Sequence, residues 1–242
     1  MSKYFVAYIM GGPRFLEELK LLDEEGADFV EIGIPFSDPV ADGSTIKAAG
    51  EKAIKAGMTI ETILEQLTKH QHEFHTKTIL MTYAHMIEAY GETRFMKAVD
   101  AAGVYGVIIP DMPFEYAEQL KSRYPNRRVN IISLIAMTAK EARLQQIAER
   151  AEGFIYTVTM NETTGQNGQF HPELKNKIQL IQNYTNIPVM AGFGIRTDNH
   201  IRDIITTADG VIIGSEIVRR LDEQGIEGTR SFLKQVRHVL DE

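Results

Sequence analysis

The stretch Phe15-Leu-Glu-Glu-Leu-Lys-Leu-Leu-Asp-Glu-Glu-Gly-Ala-Asp-Phe-Val-Glu-Ile-Gly-Ile34 carries two hydrophobic periods in succession. Phe15, Leu19 and Leu22 recur at helical spacing. From Asp28 to Ile34 the chain becomes a short apolar run rich in β-branched residues, the mark of a buried strand. A similar run, Tyr4–Met10, precedes the helix. Strand, helix, strand in about 30 residues is one βαβ unit.

The unit repeats along the chain. Further strand-like runs are Thr78–Tyr83, Gly106–Pro110, Val129–Ile135, Gly153–Thr159, Pro188–Ala191 and Gly210–Ile213. Helical stripes fall between them: Ile60, Ile63, Leu64 and Leu67; Phe95, Ala98, Val99 and Ala102; Leu144, Ile147 and Ala148; Ile178, Leu180 and Ile181. A break at Glu223–Gly225 predicts a short helix over 215–220 and a longer one from Gly228. Strand–helix alternation implies a parallel sheet. Eight units predict an α/β fold, a single (β/α)8 TIM barrel spanning residues 1–242. An open doubly wound sheet is the rival, but it usually has fewer strands.

Composition narrows the function. The 242 residues are 43% hydrophobic and 24% charged, with net charge −7, which fits a globular chain and argues against nucleic acid as a partner. A small anion remains possible, because backbone N–H groups hold phosphate without net positive charge. With no cysteine there is no thiolate nucleophile and no cysteine metal site. The seven histidines show no metal spacing. Residues 1–12 lack a signal-peptide pattern and no apolar run reaches the roughly 20 residues of a membrane span, so a cytoplasmic location is expected.

In such barrels chemistry sits at the C-terminal ends of strands. After the second strand comes Glu31-Ile-Gly-Ile-Pro-Phe-Ser-Asp-Pro-Val-Ala-Asp-Gly43. Alternation puts Phe29, Glu31 and Gly33 on one face, and Val30 and Ile32 on the helix-facing side. Glu31 then points into the barrel, where desolvation raises a carboxyl pKa and suits it to proton transfer. Position alone leaves a structural Glu31 equally open. Asp38 and Asp42 follow in a loop stiffened by Pro35 and Pro39; such aspartates often only cap turns. Gly192-Phe-Gly194 and Gly214-Ser215 follow the seventh and eighth strands, where many barrels bind phosphate. Asp111 follows the fourth strand, Tyr83 ends the third and Tyr156 lies in the sixth; from sequence alone Tyr156 reads as core. Pro35–Ser44 and Met160–His171 are the longest irregular stretches.

Taken together, Glu31–Gly43, Ile108–Pro113, Thr164-Gly165, Gly192–Ile195 and Gly214-Ser215 resemble the α subunit of tryptophan synthase, in order and over essentially the whole chain. The resemblance implies a lyase that splits indole-3-glycerol phosphate into indole and glyceraldehyde 3-phosphate. It implies a general acid/base at Glu31 and a second catalytic carboxylate at Asp42. Tyr83, Tyr156, Phe193 and Thr164 match substrate-binding positions. Gly165, Gly194, Gly214 and Ser215 match a phosphate cradle, and Asp38 and Asp111 a loop network at the partner contact. No cofactor is implied in this chain; pyridoxal phosphate belongs to a partner β subunit, in an αββα complex. Departures from the family pattern are Ser44, Ala84-His85, Met160–Thr163 and Glu216, whose charge would oppose a phosphate unless it points away. The rival functions are another phosphate-binding barrel enzyme, a non-catalytic partner of a β subunit, and a stand-alone lyase. A Schiff-base aldolase would need a lysine at a strand end, and an indole-glycerol-phosphate synthase a basic barrel interior; neither is evident.

Overall fold

A computed structural model describes residues 2–158, 172–192 and 194–242. Eight parallel strands close into a barrel in sequence order. They are β1 (Tyr4–Met10), β2 (Phe29–Gly33), β3 (Lys77–Met81), β4 (Gly106–Ile108), β5 (Asn130–Ala136), β6 (Ile155–Val158), β7 (Val189–Gly192) and β8 (Gly210–Ile213). Closure comes from β1, which pairs with β8 through Tyr4↔Gly210 and with β2 through Val6↔Phe29. The helices are α1 (Phe15–Glu24), α2 (Ser44–Lys55), α3 (Ile60–His70), α4 (Ala84–Tyr90), α5 (Glu92–Ala101), α6 (Phe114–Arg123), α7 (Glu141–Ala148), α8 (Pro172–Gln182), α9 (Asp198–Ile204) and α10 (Ser215–Asp241).

Strand alternation divides the core in two. Val6, Phe29, Ile79, Ile108, Ile132, Phe154, Met190 and Ile212, one from each strand or its first approach, pack together inside the barrel. The intervening Val30, Ile32, Val107, Val211 and Ile213 pack outward with the helices, against residues such as Leu19, Leu22, Ile63 and Leu67. Each such side chain contributes about 1.5–3 kcal/mol when fully buried. The inner layer is a plug that separates the strand C-termini, where barrel active sites lie, from the strand N-termini.

Three readings of the sequence are corrected. First, two helices rather than one follow β2. The alanine- and lysine-rich α2 buries only Gly50 and Ala53, so it carries no apolar stripe to read. It ends at Gly57 (φ +78°), a left-handed position suited to glycine, and Thr59 then caps α3 by accepting the Thr62 N–H at 3.3 Å. Second, β3 stops at Met81 and β4 at Ile108. Tyr83 keeps an extended backbone (φ −108°, ψ 152°) but serves as the residue before α4, and Pro110 has no N–H to offer a ladder. Third, the last helix bends at one residue, Gly225 (φ 69°, ψ −171°), and is helical on both sides up to it. The irregular stretch Met160–His171 lies outside the described residues.

Candidate active site

β2 delivers Glu31 to the barrel interior, in register between Tyr8 of β1 and Ile79 of β3. Only 1% of its surface is exposed, and its Oε2 has no hydrogen-bond partner among the described residues. Burial pushes its carboxyl up to about 8, and the nearby charge of Asp42 pushes the same way. Near neutral pH it is therefore a carboxylic acid that holds a proton and can release it.

Asp42 lies in the loop that joins β2 to α2. Burial raises its carboxyl, but a hydrogen bond from Tyr83 and the charge of Lys47 oppose the rise. Tyr83 is 3% exposed and links both sides of the site. Its hydroxyl donates to Asp42 and accepts the Ala41 N–H at 3.3 Å. Burial, with the Asp42 charge, pushes its phenol up to about 12, so it stays a neutral donor. Phe36 packs against its ring with centroids 5.1 Å apart. One protonated and one hydrogen-bonded carboxyl thus face a common interior, held in different states by different surroundings.

Two more tyrosines frame this interior. Tyr156 on β6 is half-buried; burial raises its phenol well above the ordinary value, and the Glu31 and Asp42 charges add to the rise. The same effects act on Tyr8 of β1, through burial, then Asp42, Glu31, Tyr83 and Tyr156. In the linear sequence Tyr8 is simply one residue of the first strand. Its pattern position offered a signal, because Val6, Tyr8 and Met10 share the inward face with Phe29, Glu31 and Gly33. The sequence reading of Tyr156 as a core side chain is half right. It is half-buried, and it belongs to the electrostatic cluster around Glu31.

Gly194 and Gly214 follow β7 and β8, which pair through Met190↔Gly210 and Ala191↔Val211. Gly194 has φ +65° and open space where a side chain would stand. Gly214 precedes α10 with no side-chain cap, leaving the N–H groups at Ser215 and beyond free of one. Glu216 does point its charge elsewhere: its Oε1 bonds Arg219 at 2.7 Å and Arg220 at 2.6 Å. Burial pushes its carboxyl up, but these two arginines outweigh that and hold it low.

Asp111 and Asp38 differ in placement. The Asp111 Oδ1 accepts the N–H of Ala84, the first residue of α4, at 2.9 Å. It thereby ties the end of β4 to the residue after Tyr83. Asp38 is exposed in the β2–α2 loop, and no hydrogen bond joins it to the described residues. Phe193, Thr164 and Gly165 lie outside the described residues. Among the described residues no group of three or more His, Asp or Glu is arranged to hold a metal.

The tryptophan synthase alpha chain family model matches residues 1–241. This chain belongs to that family. It is 56% identical over 241 residues to the tryptophan synthase alpha chain of Staphylococcus saprophyticus, covering 100% of both chains. Against the Staphylococcus carnosus alpha chain the identity is 56% over 243 residues, covering 100% of this chain and 97% of that one. Among solved structures, a Mycobacterium tuberculosis tryptophan synthase superposes with a TM-score of 0.90 at 28% identity, covering 100% of this chain and 93% of that one. A chain from Aquifex aeolicus superposes with a TM-score of 0.89 at 34% identity, covering 100% and 94%. As a tryptophan synthase alpha chain, the protein has a lyase framework on which Glu31, Asp42 and the tyrosines are to be read.

Proposed function

We infer that the chain cleaves indole-3-glycerol phosphate to indole and glyceraldehyde 3-phosphate, with Glu31 as general acid and base and Asp42 as the second carboxylate. The observation that carries the residue assignment is the state of Glu31: buried, one oxygen unpartnered, and pushed up to about 8. Protonated Glu31 delivers its proton to indole C3, making an indoleninium-like ring. The Asp42 carboxylate accepts the ring N–H and offsets the positive charge. Ionised Glu31 then takes the proton of the glycerol C3′ hydroxyl. The C3′ oxygen becomes a carbonyl as the C3–C3′ bond breaks and its electron pair returns to the ring. Indole leaves, and Glu31 is protonated again for the next cycle.

Gly194, Gly214 and Ser215, with Gly165, form the phosphate cradle in this reading, through backbone N–H groups and the start of α10. Tyr83 holds Asp42, and Tyr156 bounds the substrate together with Phe193 and Thr164. Indole passes to a β subunit that carries pyridoxal phosphate, in an αββα assembly in the cytoplasm. This chain itself needs no cofactor for the cleavage. The test is indole release from indole-3-glycerol phosphate by the purified chain, with and without a β subunit. Turnover that rises with the β subunit supports the subunit reading. Turnover with no response or binding makes the chain a stand-alone lyase, and no turnover in either case rejects the activity.

A further inference from the structure

The strand N-termini, at the opposite rim from Glu31, carry a cavity of about 390 Å³ between the C-terminal ends of α3 and α5. That volume lies in the range of small-molecule sites. Its walls include apolar side chains, Leu67, Phe74 and Val104 among them, and the ring of Tyr105. Lys77, the first residue of β3, lines it with its ammonium 4.7 Å from the Tyr105 ring centroid and 5.5 Å from that of Phe29. Cation–π contact with two rings positions that charge without neutralising it.

Two features make the cavity unlike an ordinary surface dent. Thr76 lines it at 9% exposure, and its buried Oγ1 has no hydrogen-bond partner among the described residues. Buried hydroxyls are normally satisfied; this one is closed to solvent and meets a ligand oxygen by turning its side chain into the cavity. In addition, among the described residues no carboxylate pairs with Lys77 or with Arg128, the second cation of the lining. The nearby Arg123 and Arg127 each hold a glutamate, Glu92 and Glu152. The cavity's carboxylate, Asp100, is occupied by the backbone N–H groups of Arg128 and Val129 at 3.1 and 3.0 Å. Two cations against one carboxylate leave a net positive lining on a chain of net charge −7.

We propose that this cavity is a binding site for a small aromatic carboxylate. The carboxylate takes Lys77 and the Thr76 hydroxyl, and the ring lies against Leu67, Val104 and Tyr105. A phosphate dianion fits less well. It favours converging backbone N–H groups or a free arginine fork, whereas the Arg128 guanidinium already donates to the Asp100 carbonyl at 2.8 Å. The site is distinct from the lyase centre and does not depend on its assignment.

The test titrates the full chain with 2-naphthoate, its uncharged carboxamide, and inorganic phosphate, following methyl NMR signals of Leu67, Val104 and residues near Glu31. Saturable naphthoate binding that moves Leu67 and Val104 is expected, with the carboxamide weaker by about tenfold or more. Lys77→Met should weaken naphthoate by a similar factor, Lys77→Arg should restore most of it, and Thr76→Val should weaken it several-fold. Shifts confined to the neighbourhood of Glu31, equal binding of the carboxamide, equal binding to Lys77→Met, or displacement by phosphate at equal concentration would each overturn the proposal. If Lys77→Met fails to fold, the methyl map and the carboxamide comparison on the native chain decide the question.

Discussion

Tyr8 lies across Gly33 of the neighbouring strand, with its Cζ 2.7 Å from the position a Cβ on Gly33 would occupy. The same arrangement recurs across the barrel: the Tyr156 Cε2 lies 2.6 Å from the corresponding position on Gly192. In both pairs the glycine stands two residues beyond the tyrosine's register partner, Glu31 for Tyr8 and Met190 for Tyr156. Each tyrosine can lean over its neighbour strand only because that strand has no side chain there.

Gly33→Ala should therefore displace the Tyr8 ring. The expected cost is about 1–3 kcal/mol of stability, the usual range for overpacking a filled interior. Tyr8→Ala should be costly by itself, but adding Gly33→Ala to it should cost much less than adding it to the native chain. A double-mutant cycle by denaturant unfolding measures the coupling, and additive costs would mean that the two residues do not compete for space.

Replacing Glu31 with glutamine keeps shape and burial but removes the transferable proton. Indole release should fall by at least about 10²-fold with substrate binding retained. The native carboxyl at about 8 also makes a stability prediction. Between the ordinary carboxylate range and about 8 the folded chain retains a proton that the unfolded chain has lost. Native stability therefore declines as pH rises through that window and levels off above it. Glu31→Gln lacks this proton, so its stability relative to the native chain should increase between about pH 5 and about pH 8. Thermal unfolding of both proteins across that window checks the sign, and parallel curves would place the titration elsewhere.

Tyr83→Phe removes the hydrogen bond that holds the Asp42 carboxyl down against its burial. The carboxyl should then titrate at higher pH. In the proposed mechanism Asp42 accepts the indole N–H as a carboxylate, so the acid limb of the kcat/KM profile should move upward. The alkaline limb, set by Glu31, should stay in place. A profile that falls uniformly at all pH values would reduce Tyr83 to a packing role.

The fold was legible because periodicity and alternation are local properties of the chain. Val30 and Ile32 facing the helices already put Glu31 inside the barrel, and the structure places it there. The helix α2 was not legible, since Ala48, Ala49 and Ala53 bury too little to leave a stripe. Tyr8 was missed for a different reason. Its relation to Gly33 and Glu31 runs between strands, and a residue's cross-strand neighbours depend on register, which the linear pattern of one strand does not contain. Asp111 reads from sequence as a turn residue, and it does bond a backbone N–H; what that bond supports is visible only in three dimensions.

Gly214→Val tests the phosphate cradle. The added Cβ would stand 3.3 Å from the Tyr8 Cβ, and the branched side chain would crowd the uncapped start of α10. Binding of glycerol phosphate should weaken more than binding of an indole analogue. Calorimetric titration of both ligands gives the comparison, and equal losses would show general damage to the site instead of a phosphate contact.

The two loop aspartates have separable roles. Asp111 bonds the Ala84 N–H, Ala84 follows Tyr83, and Tyr83 bonds both Ala41 and Asp42. This is a continuous path from the end of β4 to the second carboxylate. Asp111→Ala breaks it and should lower indole release several-fold even without a β subunit. Asp111→Asn keeps an acceptor oxygen for Ala84 and removes only the charge, so it should retain most of that basal activity. Asp38 has no such internal bond; it shares its loop with Val40, an apolar side chain that is 74% exposed. Its expected role is at the partner contact, and Asp38→Asn should reduce the stimulation that a saturating β subunit gives. The measurement is indole release by each variant with and without the β subunit. If Asp111→Asn falls as far as Asp111→Ala, the charge matters more than the helix-start bond. If the partner stimulates Asp38→Asn and both Asp111 variants as strongly as the native chain, neither aspartate relays the partner's effect, and the path through Tyr83 serves only to hold Asp42 in place.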